Sequence, residues 1–301
     1  MSDKQVYDMV ILGGGPSGLT SLIYAVRGGV NAILIEENPY GCGQISLTDR
    51  VDNYPGLYGT IGYDLGEKFI EHATSLGGTI KKGKIVKIEK RNELFVSITE
   101  KGEEYISKTL IYALGAHHKT LNIPGEDKFK ARGVSYCATC DATFFKDKDV
   151  AVIGGGDTAL GDAIVLSKLS HKVYIIHRRD EFRASKSLVN KCKEVKNIEF
   201  VFNTIPIEIL GDKSITGVKC QDKTINVDGV FVAIGEAPNG TLLNDFVSFD
   251  GSGHIITNND CETQTKGLFA VGDVRSKRLR QVLTAASDGA VASTFAIEEY
   301  C

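Results

Sequence analysis

The sequence predicts an α/β protein of two Rossmann-like, three-layer nucleotide-binding domains, the second inserted into the first. Two observations favour this fold class. A unit of strand, glycine-rich turn, helix and strand begins near residue 7 and recurs near residue 149. A later strand at 268–271, followed by an alanine-rich helix from about Leu279, returns the chain to the first domain. With 301 residues the chain is long enough for both domains.

Composition excludes several classes of protein. A hydrophobic fraction of 42% with 24% charged residues is typical of a globular protein with a large core. The net charge of -3 and the absence of a basic tail argue against binding to nucleic acid or to an anionic membrane. The first residues lack the apolar run of a signal peptide, and glycines interrupt every long apolar run. We therefore expect a cytoplasmic location.

The first unit has the context that a dinucleotide requires. A predicted strand at Tyr7–Leu12 leads into a G-x-G-x-x-G turn, an amphipathic helix to about Gly28 and a second strand at Ala32–Ile35. The three glycines of the turn are Gly13, Gly15 and Gly18. They allow a tight turn, backbone contact with a pyrophosphate and close helix–strand packing, and the helix N-terminus favours the phosphate charge. Glu36 follows the second strand, where an acid binds a ribose diol.

The second unit carries a different charge at the ribose position. Its predicted strands are Asp149–Ile153 and Val173–Ile176, and its turn is G-x-G-x-x-A. The position equivalent to Glu36 is His177, which is followed by arginines at 178, 179 and 183. Guanidinium groups bind a 2′-phosphate that an acid would repel, so this unit favours NADPH over NADH. The alternative is a solvated charged loop.

A cysteine pair precedes the second unit. Cys137 and Cys140 form a C-x-x-C motif, and the other five cysteines are scattered, unlike a secreted disulfide framework. No second pair of ligands lies at zinc-binding spacing, so a metal site is not expected. Such close pairs form reducible disulfides, and their chemistry is exchange through a thiolate. Asp141 is either an acid that protonates a departing thiolate or a helix cap.

Two nucleotide sites with a redox pair between them indicate an electron relay. A hydride from NADPH needs an acceptor that can pass electrons on, and a flavin in the first domain has that property. Predicted strands at Thr109–Leu114 and Gly229–Ile234 end in glycines where the chain passes between the domains. We therefore expect a discontinuous FAD-binding domain at 1–115 and 246–301 and an NADPH-binding domain with the cysteine pair at 116–245.

The whole chain resembles the low-molecular-weight thioredoxin reductases of the bacterial type. The motifs that carry this resemblance stand in the order GGGPSG, GCGQ, NYPG, CATCD, GGGDTA, HRRDEFRA, IGEAPN, GLFAVGDV and LRQVLTAASDGA. The resemblance implies a homodimer with bound FAD, NADPH as donor and a thioredoxin as acceptor. It also implies that the inserted domain rotates between the half-reactions. Cys140 should then face the flavin, Cys137 should attack the thioredoxin disulfide, and Asp141 should be the acid.

The resemblance also implies two sets of cofactor contacts. The flavin contacts are Gly13, Gly15, Gly18, Glu36, Gln44, Asn53, Asp273, Arg280 and Gln281. The NADPH contacts are Gly154, Gly156, Asp157, Thr158, Arg178, Arg179 and Arg183.

Some residues depart from the family pattern. The family has two adjacent acids where this chain has Gly161 and Asp162, which puts the use of NADPH in question. Cys42 and Cys301 have no neighbouring cysteine, and we interpret both as incidental. Three alternatives remain open. One is a ferredoxin-driven flavin thioredoxin reductase, the second is the reductase part of a peroxide-reducing system, and the third is a flavin redox sensor without turnover.

Overall fold

The computed structural model describes residues 5–38, 42–48 and 50–301, which form two compact units. The first unit comprises the described part of Met1–His117 together with Ala237–Cys301. The second unit is His118–Glu236, so the chain leaves the first unit once and returns to it once. Residues 116–117 and 237–245, which the sequence analysis assigned to the inserted domain, belong to the first unit.

The first unit is built on a seven-stranded sheet. Its strands are β1 (Val6–Leu12), β2 (Ala32–Glu36), β3 (Thr79–Lys82), β4 (Ile85–Arg91), β5 (Leu94–Thr99), β6 (Glu104–Tyr112) and β17 (Leu268–Ala270). The order is β3-β2-β1-β6-β5-β4, with β17 also beside β6. Strands β3, β2, β1, β6 and β17 pair in parallel, whereas β4, β5 and β6 form an antiparallel meander. Met9 to Leu12 of β1 are fully buried, as expected for a central parallel strand covered on both faces.

Three helices belong to this unit, α1 (Pro16–Arg27), α2 (Gly62–Ser75) and α6 (Val282–Tyr300). Helix α6 packs closely on α1, because a Cβ added to Gly289 would lie 2.2 Å from the Ser17 carbonyl oxygen. The predicted start of this helix near Leu279 was three residues early. Gln281 caps it instead, in a reciprocal capping box with Thr284, so helical geometry begins at Val282.

The second unit is built on a five-stranded parallel sheet. Its strands are β8 (Val134–Ser135), β9 (Asp149–Gly154), β10 (Lys172–Ile176), β11 (Ile198–Val201) and β15 (Gly229–Ala233). The order is β11-β10-β9-β15-β8. The helices are α3 (Ala138–Asp141), α4 (Asp157–Ser167) and α5 (Lys186–Glu194). A second, antiparallel sheet consists of β12 (Pro206–Gly211), β13 (Ile215–Cys220) and β14 (Thr224–Ile225). Parallel sheets with helices between their strands confirm the predicted α/β fold class.

The two connecting segments pair with each other as strands β7 (Ala116–His118) and β16 (Glu236–Pro238). Asn239 fixes the base of this pair within the first unit. Its backbone N–H donates to the Gly115 carbonyl at 3.0 Å, and its Nδ2 donates to the Leu114 carbonyl at 2.9 Å.

Candidate active site

The glycine turn of the first unit leaves open space above a helix N-terminus. Gly13 has a φ of +106°, and an added Cβ would lie 2.4 Å from the Ala113 carbonyl oxygen. A Cβ on Gly18 would lie 1.9 Å from the Gly13 carbonyl oxygen, so both positions require glycine. A Cβ on Gly15 would meet no heavy atom within 4 Å, and no side chain caps α1. The turn therefore offers unobstructed backbone to a phosphate group.

Glu36 lies beside this turn at the carboxyl end of β2. The Gly14 N–H donates to Glu36 Oε2 at 2.5 Å, and the Asn38 N–H donates to Oε1 at 2.8 Å. These two bonds hold the carboxylate next to the middle glycine, where an acid can accept hydrogen bonds from a ribose diol.

The remaining predicted flavin contacts come from four separate segments of the first unit. Asn53 and Gln281 are brought together, since Asn53 Nδ2 donates to Gln281 Oε1 at 2.7 Å. Gln44, in the short turn Gly43–Leu47, donates its side-chain amide to the Ala116 carbonyl. Asp273 lies in the turn Gly272–Val274 after β17, and the half-buried Arg280 precedes α6.

A charged cluster supports the Asp273 turn, and the sequence analysis missed it. The carboxylate of Asp288, on α6, accepts from the Gly272 N–H at 3.0 Å, from Arg275 at 2.9 Å and from Lys277 at 2.8 Å. Lys277 also lies 3.8 Å from the carboxylate of Asp273. Asp288 therefore fixes both ends of the loop that presents Asp273, a role that its place in the motif LRQVLTAASDGA did not indicate.

The glycine turn of the second unit has the same geometry. A Cβ on Gly154 would lie 2.3 Å from the Ala233 carbonyl oxygen, whereas a Cβ on Gly156 would meet nothing within 4 Å. Asp157 and Thr158 are exposed in the first turn of α4. Asp157 Oδ1 accepts from the Ser185 N–H at 2.7 Å, which ties the start of α4 to the segment before α5.

His177 takes the place of the ribose acid, and its ring lies against the middle glycine. A Cβ on Gly155 would be only 2.2 Å from the ring, so the imidazole stands where Glu36 stands in the first unit. The side chain is 7% exposed, and its Nε2 is buried without a hydrogen-bond partner among the described residues. Burial, with the nearby charges of Arg178 and Arg179, lowers the pKa of His177, so the ring is neutral at pH 7.

The three arginines follow on a loop with exposed side chains. The Arg183 N–H donates to the Gly155 carbonyl at 2.8 Å, and the Arg179 carbonyl accepts from the Asn203 N–H at 3.1 Å. Phe182 anchors the loop, because its ring packs on Phe200 and Phe202 with centroid distances of 5.1 and 4.7 Å. The loop thus presents its cations beside the glycine turn while its backbone and one aromatic ring are held.

Cys137 and Cys140 form a disulfide in the second unit, with their Cα atoms 5.3 Å apart. Cys137 is the N-cap of α3, and its Sγ accepts from the Cys140 N–H at 3.2 Å. Both residues are half-buried, so the pair is reachable from outside this unit. A disulfide at the N-terminus of a helical turn suits exchange chemistry, since backbone N–H groups stabilise a thiolate there.

Asp141 stands at the N-cap position of the helical turn that follows it, but its side chain makes no capping hydrogen bond there. Its Oδ2 instead accepts from the Ser135 hydroxyl at 2.6 Å. A second missed residue, Glu126, is 2% exposed and accepts from Tyr136 Oη at 2.8 Å. Glu126 also accepts from the backbone N–H groups of Leu121 and Asn122, so it fixes the chain just before the cysteine pair.

Four of the other five cysteines are not accessible for exchange. Cys42, Cys192, Cys220 and Cys261 are buried, and Cys301 is exposed. Burial raises the pKa of Cys42 to about 11 and that of Cys261 to about 12, so neither is a thiolate near pH 7. Within the described ranges, no group of three or more His, Cys, Asp or Glu side chains could hold a metal ion. No helix in the described part of the chain is long and apolar enough to span a membrane.

Comparisons with known proteins agree with this geometry. The family model for pyridine nucleotide-disulphide oxidoreductases matches residues 7–289. A curated thioredoxin reductase from Peptoclostridium acidaminophilum is 40% identical over 310 residues, covering 99% of this chain and 98% of that protein. The crystal structure of thioredoxin reductase from Streptococcus pyogenes superposes with a TM-score of 0.90 at 36% identity, covering 97% of each chain. A ferredoxin-flavin thioredoxin reductase from Clostridium acetobutylicum gives a TM-score of 0.54 at 34% identity, covering 98% of each chain.

Proposed function

We propose a function from one premise: the chain belongs to the pyridine nucleotide-disulphide oxidoreductase family. Within that family it acts as a thioredoxin-disulfide reductase, which takes electrons from NADPH through FAD and the Cys137–Cys140 disulfide to thioredoxin. The similarity to curated thioredoxin reductases over nearly the full chain supports this activity.

The first unit fits FAD. The open space at Gly15 can receive a pyrophosphate, and the Glu36 carboxylate is placed to accept hydrogen bonds from the ribose hydroxyls of an adenosine. Asn53, Gln281 and the Asp273 turn would hold the rest of the cofactor. When bound, the flavin supplies an acceptor for a hydride and a donor of two electrons to a disulfide. FAD is therefore the cofactor that we assign to this unit.

The second unit fits NADPH. Space above Gly156 matches the pyrophosphate, and Arg178, Arg179 and Arg183 supply cations for a 2′-phosphate. The acid that would repel this phosphate is replaced by the neutral, buried ring of His177. Asp157 and Thr158 lie on the same helix start as Gly156, within reach of the same phosphates.

The cysteine pair carries two electrons to the protein substrate. In the reduced enzyme, the Cys137 thiolate attacks the thioredoxin disulfide, forms a mixed disulfide and displaces one thioredoxin thiolate, which takes a proton from Asp141. The Cys140 thiolate then attacks Cys137 Sγ, re-forms the enzyme disulfide and releases the second thioredoxin sulfur. The enzyme pair loses the two electrons that the thioredoxin disulfide gains. Two protons, one of them from Asp141, complete the thioredoxin dithiol.

Two further properties belong to the proposal. The inserted unit rotates about its crossings between the half-reactions, and glycines with positive φ stand there, Gly115 at +63° and Gly235 at +108°. The protein works as a homodimer. Its cytoplasmic location remains a prediction from the sequence.

The observation that carries the proposal is the disulfide in the same unit as an intact glycine turn with three arginines. The test is an anaerobic titration of the purified flavoprotein with NADPH, followed by flavin absorbance. Bleaching that consumes about two equivalents per subunit, one for the flavin and one for the disulfide, is expected.

A ferredoxin-driven reductase is the second candidate. It is favoured by the similarity to the Clostridium acetobutylicum enzyme and by the glycine at position 161. Bleaching by reduced ferredoxin, with none by NADPH or NADH, would establish this candidate and refute NADPH as donor.

A further inference from the structure

We propose that Ser135 is the positioning residue for Asp141, and that its hydroxyl holds this carboxylate beside the cysteine pair. The inference rests on the proposed function. The inference adds to that function a residue outside the C-x-x-C-D motif, and this residue affects only the reduction of thioredoxin.

The hydroxyl of Ser135 has a fixed direction. The residue ends β8, is 5% exposed, and its backbone is held by pairing with Phe231 of β15. The Cys137 N–H donates to Ser135 Oγ at 3.1 Å. Because this bond occupies one lone pair of the oxygen, the hydroxyl proton must point elsewhere. Asp141 Oδ2 lies 2.6 Å away, whereas the Cys137 carbonyl lies 3.4 Å away, so the proton goes to Asp141.

One oxygen thus links the backbone of the first cysteine to the carboxylate of the acid. Asp141 cannot swing away from the turn of α3 without losing a short, charge-assisted hydrogen bond. Ser135 therefore determines where the acid stands relative to the cysteine pair.

The consequence is confined to one half-reaction. Asp141 protonates the thiolate that leaves thioredoxin, so loss of the Ser135 hydroxyl should slow the transfer from the reduced pair to thioredoxin. Reduction of the flavin by NADPH does not use Asp141 and should keep its rate. A general loss of structure would slow both half-reactions.

The experiment compares Ser135→Ala, Ser135→Thr and Asp141→Asn, each as FAD-loaded enzyme. Two rates are measured in a stopped-flow instrument at pH 7: the bleaching of the oxidised enzyme by NADPH, and the oxidation of the pre-reduced enzyme by a purified bacterial thioredoxin. Asp141→Asn should slow the second rate at least tenfold and leave the first unchanged. Ser135→Ala should be about tenfold slower in the second rate alone. Ser135→Thr keeps the hydroxyl and should restore the rate of thioredoxin reduction.

Ser170→Ala is the matched control. Ser170 belongs to the same unit, is 6% exposed, and its hydroxyl has no hydrogen-bond partner among the described residues. It removes a buried hydroxyl from the same unit, and both of its rates should equal those of the wild type. Flavin content and thermal unfolding of each variant show whether Ser135→Ala folds. If it does not, Ser135→Val is compared with Ser135→Thr, because these two side chains have nearly the same shape and differ in the hydroxyl. Ser135→Val should then be the slower of the two toward thioredoxin.

The possible outcomes distinguish failure of the Ser135 inference from failure of the proposed function. A rate of thioredoxin reduction in Ser135→Ala equal to that of the wild type, while Asp141→Asn is slow, overturns the role of Ser135 and leaves that of Asp141. A wild-type rate of thioredoxin reduction in Asp141→Asn overturns both roles. Failure of the wild-type enzyme to reduce any thioredoxin, with NADPH bleaching intact, refutes the proposed function instead.

Discussion

Gly156 and Gly161 each have open space beside them, but for different reasons. An added Cβ would find no heavy atom within 4 Å at either position. Gly156 is the N-cap of α4 at the proposed phosphate site, whereas Gly161 lies within the helix, away from the turn. A void at the start of a helix that carries no side-chain cap is typical of a ligand site, whereas a void beside the middle of a helix is not.

Alanine substitutions at Gly156 and Gly161 should therefore distinguish an effect on nucleotide binding from an effect on stability. Gly156→Ala should leave the melting temperature unchanged and raise the KM for NADPH and NADH alike, at least tenfold, because the methyl group enters the space of the pyrophosphate. Gly161→Ala is the control, and it should stabilise the protein by about 1 kcal/mol without changing either KM. Steady-state kinetics and thermal unfolding measure both effects. An unchanged KM in Gly156→Ala would contradict the assignment of the phosphate site.

The buried His177 should make stability depend on pH. Its pKa is lowered in the folded protein, so the unfolded chain binds the proton more readily. The neutral ring contributes its full share to the stability of the folded protein above the histidine pKa of the unfolded chain, near 6.5. This share is lost as the pH falls from that value through the lower pKa of the folded protein. His177→Gln should reduce the loss of unfolding free energy between pH 7.5 and pH 5.5, measured by denaturant titration. His72→Gln, at an exposed position of α2, should keep the wild-type slope. Equal slopes in both variants would show that His177 titrates normally.

At the scale of elements, local signals were predictable and long-range partners were not. Each glycine turn was identified because steric rules tie its residues to a strand before and a helix after. The contact of Asn53 with Gln281 joins residues 228 apart in sequence, and no local pattern reports such a distance. The roles of Ser135 and of Asp288, which lies in the motif LRQVLTAASDGA, were missed for the same reason, since a serine or an aspartate becomes informative only when its partners are known. The early start assigned to α6 arose because the capping box of Gln281 lies in a run with helical composition.

The arginine loop is the element that should select the cofactor. Replacing Arg178 and Arg179 by alanine should raise the KM for NADPH by about two orders of magnitude and hardly change that for NADH, because only NADPH carries the 2′-phosphate. Phe182 keeps its packing on Phe200 and Phe202, so the loop should remain in place. Steady-state kinetics with both cofactors measure the effect.

A double variant of α5, Lys191→Ala with Lys193→Ala, is the matched control. It removes two exposed positive charges from the same unit and should affect neither KM. A similar rise in the KM for NADPH in both double variants would attribute the effect to the overall positive charge of the unit. An equal rise in the KM for NADH in the arginine variant would show that the loop does not recognise the 2′-phosphate.

At the scale of the whole molecule, the proposed relay divides between the two units. The fold assigns one nucleotide turn to each unit and the cysteine pair to the inserted one. Electrons must therefore pass from the second unit to the first and back again before they reach thioredoxin. A rigid arrangement would serve one of these transfers poorly, which is why the proposal includes rotation about the crossings.

Cys140→Ser should block electron transfer beyond the flavin. NADPH should still bleach the flavin, but with about one equivalent per subunit instead of two, because no disulfide remains to be reduced. Thioredoxin reduction should fall below detection, since Cys137 alone can form a mixed disulfide but cannot resolve it. The control is Cys192→Ser, a buried cysteine of the same unit outside the disulfide, which should keep two equivalents and full turnover if it folds. Turnover by Cys140→Ser, or a titration that still consumes two equivalents, would mean that the electrons reach thioredoxin by another route than the Cys137–Cys140 pair.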